Sequence, residues 1–141
     1  MSETEWSLYP ELAKDTATVC DLALSRVLAM NDAEFPWLIL VPRRTRVSDI
    51  VDLGDEQAIL MVELSLISHV LKDETKCDKL NVAAIGNVVP QLHIHVVGRR
   101  KDDPLWPKPI WGIAPRRTLG AAAMERFVSS IRNRVRGQLS L

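Results

Sequence analysis

Two histidines stand two residues apart in the run Pro90-Gln91-Leu92-His93-Ile94-His95-Val96-Val97, flanked by β-branched and aliphatic side chains. Successive side chains of a strand point to opposite faces, so Gln91, His93 and His95 are expected on one face. Leu92, Ile94 and Val96 then share the other, which is buried. Two adjacent imidazoles on an open face suit an anionic partner. Four uses of the pair follow. They are ordinary half-buried histidines, or a metal site, or a nucleophile with a neighbour that holds phosphate oxygens, or a phosphate-binding pair without turnover. His-x-His pairs on strands do bind zinc or iron, but a third ligand is needed, and no HxxE, ExxH or CxxC lies nearby. The other histidine, His69, falls on the far side of its helix from Leu60 and is read as solvent-facing.

The elements that must position this pair follow from the periodicity. Residues 10 to 16 predict a short helix with Pro10 in its first turn. Residues 18–22 and 25–30 predict a hairpin, and Asn31-Asp32-Ala33-Glu34 a polar turn. Trp37-Leu38-Ile39-Leu40-Val41, closed by Pro42, has the length and continuous apolar character of a central strand. A basic loop, Arg43-Arg44-Thr45-Arg46, comes next. Gly54-Asp55-Glu56 is expected to start the main helix with acidic residues in its first turn. Leu60, Leu64, Ile67 and Leu71 form its sheet-facing stripe. Residues 80–84 predict a strand leading to a Gly86-Asn87 turn, and the histidine strand is expected from Gln91 to Gly98. Residues 101 to 117 hold four of the eight prolines and two of the four tryptophans. Such a loop is ordered, with Trp106 and Trp111 placed at a subunit interface or over the site rim; capping the core of one subunit is the alternative. A last helix runs from about Thr118 to Gly137, with Leu119, Ala123, Phe127, Ile131 and Val135 inward.

Length and composition bound the rest. The 141 residues are enough for one domain with its own core. Apolar residues at 47% and charged residues at 26% describe a globular chain. Eighteen basic residues offset eighteen acidic ones, so no net field draws the chain to nucleic acid or a membrane. The start, Met1-Ser2-Glu3-Thr4-Glu5, is acidic and does not read as a secretory signal. Cys20 and Cys77 form no CxxC and are expected as buried thiols. The expectation is a cytoplasmic protein of one domain, residues 1–141.

The segment Gln91-Leu92-His93-Ile94-His95-Val96-Val97 resembles the signature of the histidine triad (HIT) superfamily, His-φ-His-φ-His-φ-φ, where φ is hydrophobic. The resemblance extends to Gly98-Arg99-Arg100 after it, to Leu28–Pro42, to Asp49–Leu53 and to Leu80-Asn81. It implies an α+β, HIT-like fold: about five mostly antiparallel strands, one long central helix and a C-terminal helix. It implies a nucleotide-binding hydrolase or nucleotidyl transferase acting at an α-phosphate, with a nucleoside phosphoramidate or dinucleotide as substrate. The alternative is a nucleotide-binding regulatory module with little turnover.

The resemblance also assigns roles. His93 is the nucleophile and His95 the donor to the non-bridging oxygens. Asn87 and Asn81 lie at phosphate-contacting positions. Asp32, and beside it Asn31, match the group that bonds the ribose hydroxyls, although Asn31, Asp32 and Asn87 are also ordinary turn formers. No metal or cofactor is expected, save magnesium carried by substrate phosphates, and a homodimer is implied. Three positions depart from the pattern. Gln91 replaces the first histidine and cannot carry a proton at neutral pH. Trp37 or Leu38 occupies the space of a further histidine found in many members. Val88 is apolar where a hydroxyl near the leaving group is common.

Overall fold

The computed structural model describes residues 5–113 and 117–140. The first four residues, and part of the stretch 101 to 117, lie outside them. Helix α1 spans Pro10–Asp15, with Pro10 in the first turn, where its missing N–H is no loss. Strands β1 (Thr16–Asp21), β2 (Ser25–Met30) and β3 (Trp37–Pro42) follow. Helix α2 is Gln57–Thr75, then come β4 (Lys79–Ala83), β5 (Ile94–Arg99) and helix α3 (Ala121–Leu139). The five strands form one sheet in the order β1-β2-β3-β5-β4, antiparallel at every pairing. This is the expected α+β architecture.

The alternation of apolar side chains along β2, β3 and β5 serves two cores rather than one. Val27, Ala29, Leu38, Leu40, Ile94 and Val96 face α2 and α3, where they meet Leu60, Ile67, Leu71, Ile131 and Val135. Leu28, Met30, Trp37, Ile39, Val41 and Val97 face the other way. That second face is not open. It is covered by Leu12 of α1, by Trp6, Leu8 and Tyr9, and by Leu105, Ile110 and Trp111 of the loop after β5. Every residue of β3 and β5 is accordingly buried.

Two helix starts and one buried position differ from expectation for local reasons. The main helix does not begin at Gly54. A 3-10 segment, Ile50–Glu56, precedes it, and Gly54 sits inside at a positive φ of 58° that a side chain would resist. The helix therefore has no acidic residue in its first turn. Leu64 is only half-buried, and Glu63, which the periodicity passed over, is buried instead. Its carboxylate accepts the backbone N–H groups of Leu24 and Ser25 at 2.8 and 3.0 Å, closing the β1–β2 turn. The last helix starts at Ala121 behind Gly120 rather than near Thr118, and Val128 joins Ile131 and Val135 as its buried residues while Leu119 stays half-exposed.

Candidate active site

The histidine strand begins later than the sequence suggests. Pairing with β3 starts at Leu40↔Ile94, and pairing with β4 ends at Ala83↔His95, so residues 91–93 have no strand partner on either side. Gln91 is thus off the strand, and its side chain leaves the common face assumed for it. Its Oε1 accepts the Tyr9 N–H and its Nε2 donates to the Ser7 carbonyl, both at 2.9 Å. The carboxamide behaves as an extra peptide unit that ties the start of α1 to the approach of β5.

What Gln91 gives to the histidines is its backbone. The Nδ1 of His93 lies 2.7 Å from the Gln91 carbonyl oxygen. A carbonyl only accepts, so Nδ1 carries the proton and the lone pair of the neutral ring is on Nε2. His95 lies with its ring centroid 4.9 Å from that of His93, nearly perpendicular. Trp37 on β3 donates its indole N–H to the Nδ1 of His95 at 3.0 Å. The Trp111 ring stands 5.6 Å from His95, tilted by 53°. The two imidazoles are therefore enclosed, His93 at 6% and His95 at 7% exposure, rather than displayed on a bare strand face.

Both rings nevertheless line a cleft of about 170 Å³ with Gly86, Asn87, Val88 and Val89. Gly86 holds a φ of 69°, and a Cβ there would sit 3.4 Å from the Val89 carbonyl, so the turn that shapes the cleft favours glycine. His93 also borders a larger groove of about 370 Å³ between Ser48–Val51 and Ala84–Gly86. Asn87 thus lines the same cleft as the two histidines. Val88, 86% exposed, brings an apolar side chain to the same rim.

Other assigned residues lie further off. Asp32 is buried at 4% and builds the turn after β2: its Oδ1 accepts the N–H groups of Glu34 and Phe35 at 2.8 and 3.0 Å. Its Oδ2 has no hydrogen-bond partner among the described residues, and Asp32 lines a cavity of about 200 Å³ that is also lined by Trp37, the residue bound to His95. Asn31 is bound elsewhere, its Oδ1 accepting the Leu119 N–H at 2.6 Å. Asn81 on β4 accepts from Arg99 at 2.9 Å and does not line the cleft. His69 is an exposed helical residue 3.7 Å from Asp73.

The loop after β5 splits the roles of its tryptophans. Trp111 sits against His95, as expected for a rim residue. Trp106 instead stacks over Arg99, whose guanidinium is 5.6 Å from its ring and 5.4 Å from that of Phe35. Arg99 is 1% exposed and bound to Asp103 through both ends of its fork, at 2.7 and 3.0 Å. Asp103 also accepts the N–H groups of Leu105 and Trp106 at 3.0 and 2.7 Å. This pair fixes the loop that holds Trp111 in place. Neither Arg99–Asp103 nor the Trp37–His95 bond was anticipated; Trp37 was noted only as filling the space of a histidine.

This sheet, with its paired histidines beside a glycine turn, is that of a histidine triad fold. The HIT domain pattern matches residues 11–102, and the chain belongs to that family. A histidine triad protein of Bradyrhizobium japonicum is 48% identical, with 92% of this chain and 98% of that one aligned at a TM-score of 0.89. One from Sinorhizobium meliloti is 36% identical over 94% of this chain and 99% of its own, with a TM-score of 0.91. The diadenosine triphosphate hydrolase of Plasmodium falciparum shares the fold at 15% identity and a TM-score of 0.67, with 94% and 84% of the two chains covered. No curated protein matches the chain.

If Gln91 acts through its carbonyl and its hold on α1, Gln91→His should keep nucleotide turnover within roughly tenfold, about 1.4 kcal/mol of barrier. A thousandfold loss in steady-state rate would give the carboxamide a direct part in the chemistry.

Proposed function

We propose that the protein is a nucleotide-binding hydrolase or nucleotidyl transferase, a Gln-x-His-x-His form of the triad, in which His93 attacks the α-phosphorus of a nucleoside phosphoramidate or dinucleotide. The observation that carries this reading is the His93 Nδ1 to Gln91 carbonyl contact at 2.7 Å, because it leaves the lone pair of the neutral ring on Nε2, in a ring that lines the cleft. A neutral nucleophile avoids the repulsion that an anion meets at a charged phosphate. In the first step an N–P bond forms, the bond to the leaving group breaks, and that group departs with the electron pair and takes up a proton. In the second, water attacks phosphorus, the N–P bond breaks, and nucleoside monophosphate is released. His95 and Asn87 donate to the non-bridging oxygens, where charge builds. The buried, unpartnered Oδ2 of Asp32 supports a ribose hydroxyl as its partner. Family membership, and a fold shared with a diadenosine triphosphate hydrolase, support a nucleotide as substrate. A cytoplasmic place of action belongs to the same reading.

The test is acid-quenched trapping of a nucleotidyl-protein adduct from a radiolabelled nucleoside phosphoramidate or dinucleotide, with the label mapped by peptide analysis. Label on His93 is the expected result. Tight nucleotide binding with neither adduct nor product favours the second reading, a regulatory nucleotide-binding module. The near-complete cover of both imidazoles is the observation on its side.

No group of three His, Cys, Asp or Glu side chains that could hold a metal ion occurs among the described residues. Chelator-treated, dialysed protein should therefore keep its activity, with magnesium acting only through substrate phosphates. Complete loss, restored by zinc alone, would replace the proposed mechanism with a metal-dependent one.

A homodimer is part of the proposal. Strand β4 is an edge of the sheet, and Val82 on it is 47% exposed, as are Met61 and Val62 of α2 at 63% and 70%. A second copy would cover this apolar surface, and Met61→Glu should then shift the sedimenting species toward monomer.

A further inference from the structure

We infer that Trp37 is a positioning residue that sets the tautomer of His95, so that the two imidazoles are held in opposite protonation patterns. The inference rests on the proposed reaction for its catalytic meaning, but not for its geometry. An indole nitrogen can only donate. Because Trp37 Nε1 lies 3.0 Å from His95 Nδ1, that ring nitrogen must offer its lone pair, and the ring proton is placed on Nε2. A proton on Nδ1 would point at the indole N–H and break the bond. His93 has the reverse arrangement, because its Nδ1 faces a carbonyl. One ring thus presents a bare Nε2 and its neighbour an Nε2–H, with centroids 4.9 Å apart. The first suits attack on phosphorus, the second donation to a phosphate oxygen. Neither assignment needs an ionised side chain.

Burial makes the setting firm. Trp37 is 4% exposed and packed within the second core among Phe35, Ile39, Val97 and Ile110, so its ring cannot turn away from His95 without disrupting that core. The Trp111 ring also packs against the imidazole, 5.6 Å away. Of the residues lining the cleft, His93 is the only titratable one besides His95. A tryptophan at this position accordingly does for His95 what a carbonyl does for His93, with the sign of the hydrogen bond reversed.

The experiment is long-range ¹H–¹⁵N correlation on the ligand-free, ¹⁵N-labelled protein at neutral pH, followed by steady-state kinetics on the same samples. The expected wild-type spectrum shows His95 with an unprotonated, pyridine-like Nδ1 and a protonated, pyrrole-like Nε2, and His93 with the opposite pattern. Trp37→Phe keeps a buried ring but removes the donor, and should move the His95 Nδ1 resonance toward partly protonated values. Its kcat should fall about two- to tenfold, the size of one neutral hydrogen bond, with little change in KM. Trp37→His, which can again donate to Nδ1, should recover both the spectrum and most of the rate. A wild-type spectrum with a protonated Nδ1 on His95 overturns the inference, as do unchanged His95 resonances in Trp37→Phe. Since the spectrum is read without substrate, it separates this inference from the proposed reaction. The expected tautomers with no trapped adduct would leave the positioning intact and defeat the nucleophile.

Discussion

Replacing His93 by alanine should reduce nucleotide turnover to below a few per cent of the wild-type rate and abolish the trapped adduct, while the far-ultraviolet dichroism stays unchanged. In the proposed reaction the ring supplies the attacking nitrogen, and among the described residues no other imidazole lines the cleft with a bare Nε2. Its hydrogen bond goes to the Gln91 carbonyl, which can turn to water once the ring is gone. His93→Gln, closer in volume, guards against a packing explanation and should be equally inactive. His95→Ala should cost less, about 10²–10³-fold in kcat, the usual range for loss of one donor to a developing oxyanion. A His93 variant with substantial activity and label on another residue would remove the covalent mechanism altogether.

The largest effect on stability should come from Asp103→Ala. It leaves the guanidinium of Arg99 buried beneath Phe35 and Trp106 without its carboxylate, and breaking one half of a buried pair costs about 3–5 kcal/mol. Urea unfolding should show a matching fall in midpoint; a change under about 1 kcal/mol would mean that Asn81 and water satisfy Arg99 unaided. The pair also has a pH signature. The hydrogen bond from Arg99, with those from Leu105 and Trp106, holds the Asp103 carboxyl below the usual carboxylate range despite its burial. A carboxyl with a lowered folded pKa stabilises the native state fully above its unfolded value, about 3.9. That contribution is lost as pH falls through the folded value. The stability gap between wild type and Asp103→Asn should thus be constant near neutrality and narrow only in acid below about pH 4.

The residues that carried the family signature also carried the fold. The continuous apolar run 37–41, the stripe at Leu60, Leu64, Ile67 and Leu71 (with Leu64 only half-buried), and the alternation through Ile94 and Val96 each found the element they imply. Strand ends were less visible, because a strand stops where its partner stops. Gln91 alternates correctly with His93 but has nothing to pair with. The cover over the histidine face was hidden for a related reason. It is made by Trp6, Tyr9 and Leu12, some eighty positions before the strand they shield, and no local period reports such a contact. Arg99 and Asp103 were hidden by ambiguity. In Arg99-Arg100-Lys101-Asp102-Asp103 several surface pairings look equivalent, and only the inward direction of Arg99 on β5 selects one of them.

The bond between Gln91 and the start of α1 links events in folding to competence in chemistry. Ser7 and Tyr9 meet Gln91 across sequence separations of 84 and 82 residues. Contacts that close so long a loop form late, after the hairpins and helices that need only short closures. The carbonyl that orients His93 belongs to the residue held by this closure. A molecule can thus have its sheet, α2, α3 and the cleft turn while the Gln91 side chain is still unheld. Cutting the chain ahead of Pro10 removes both partners of the Gln91 carboxamide while leaving every residue that lines the cleft in place. The amide of Tyr9, whose acceptor is the Gln91 side chain, then serves as a native clock, and its exchange with solvent deuterium reports when the site itself is complete.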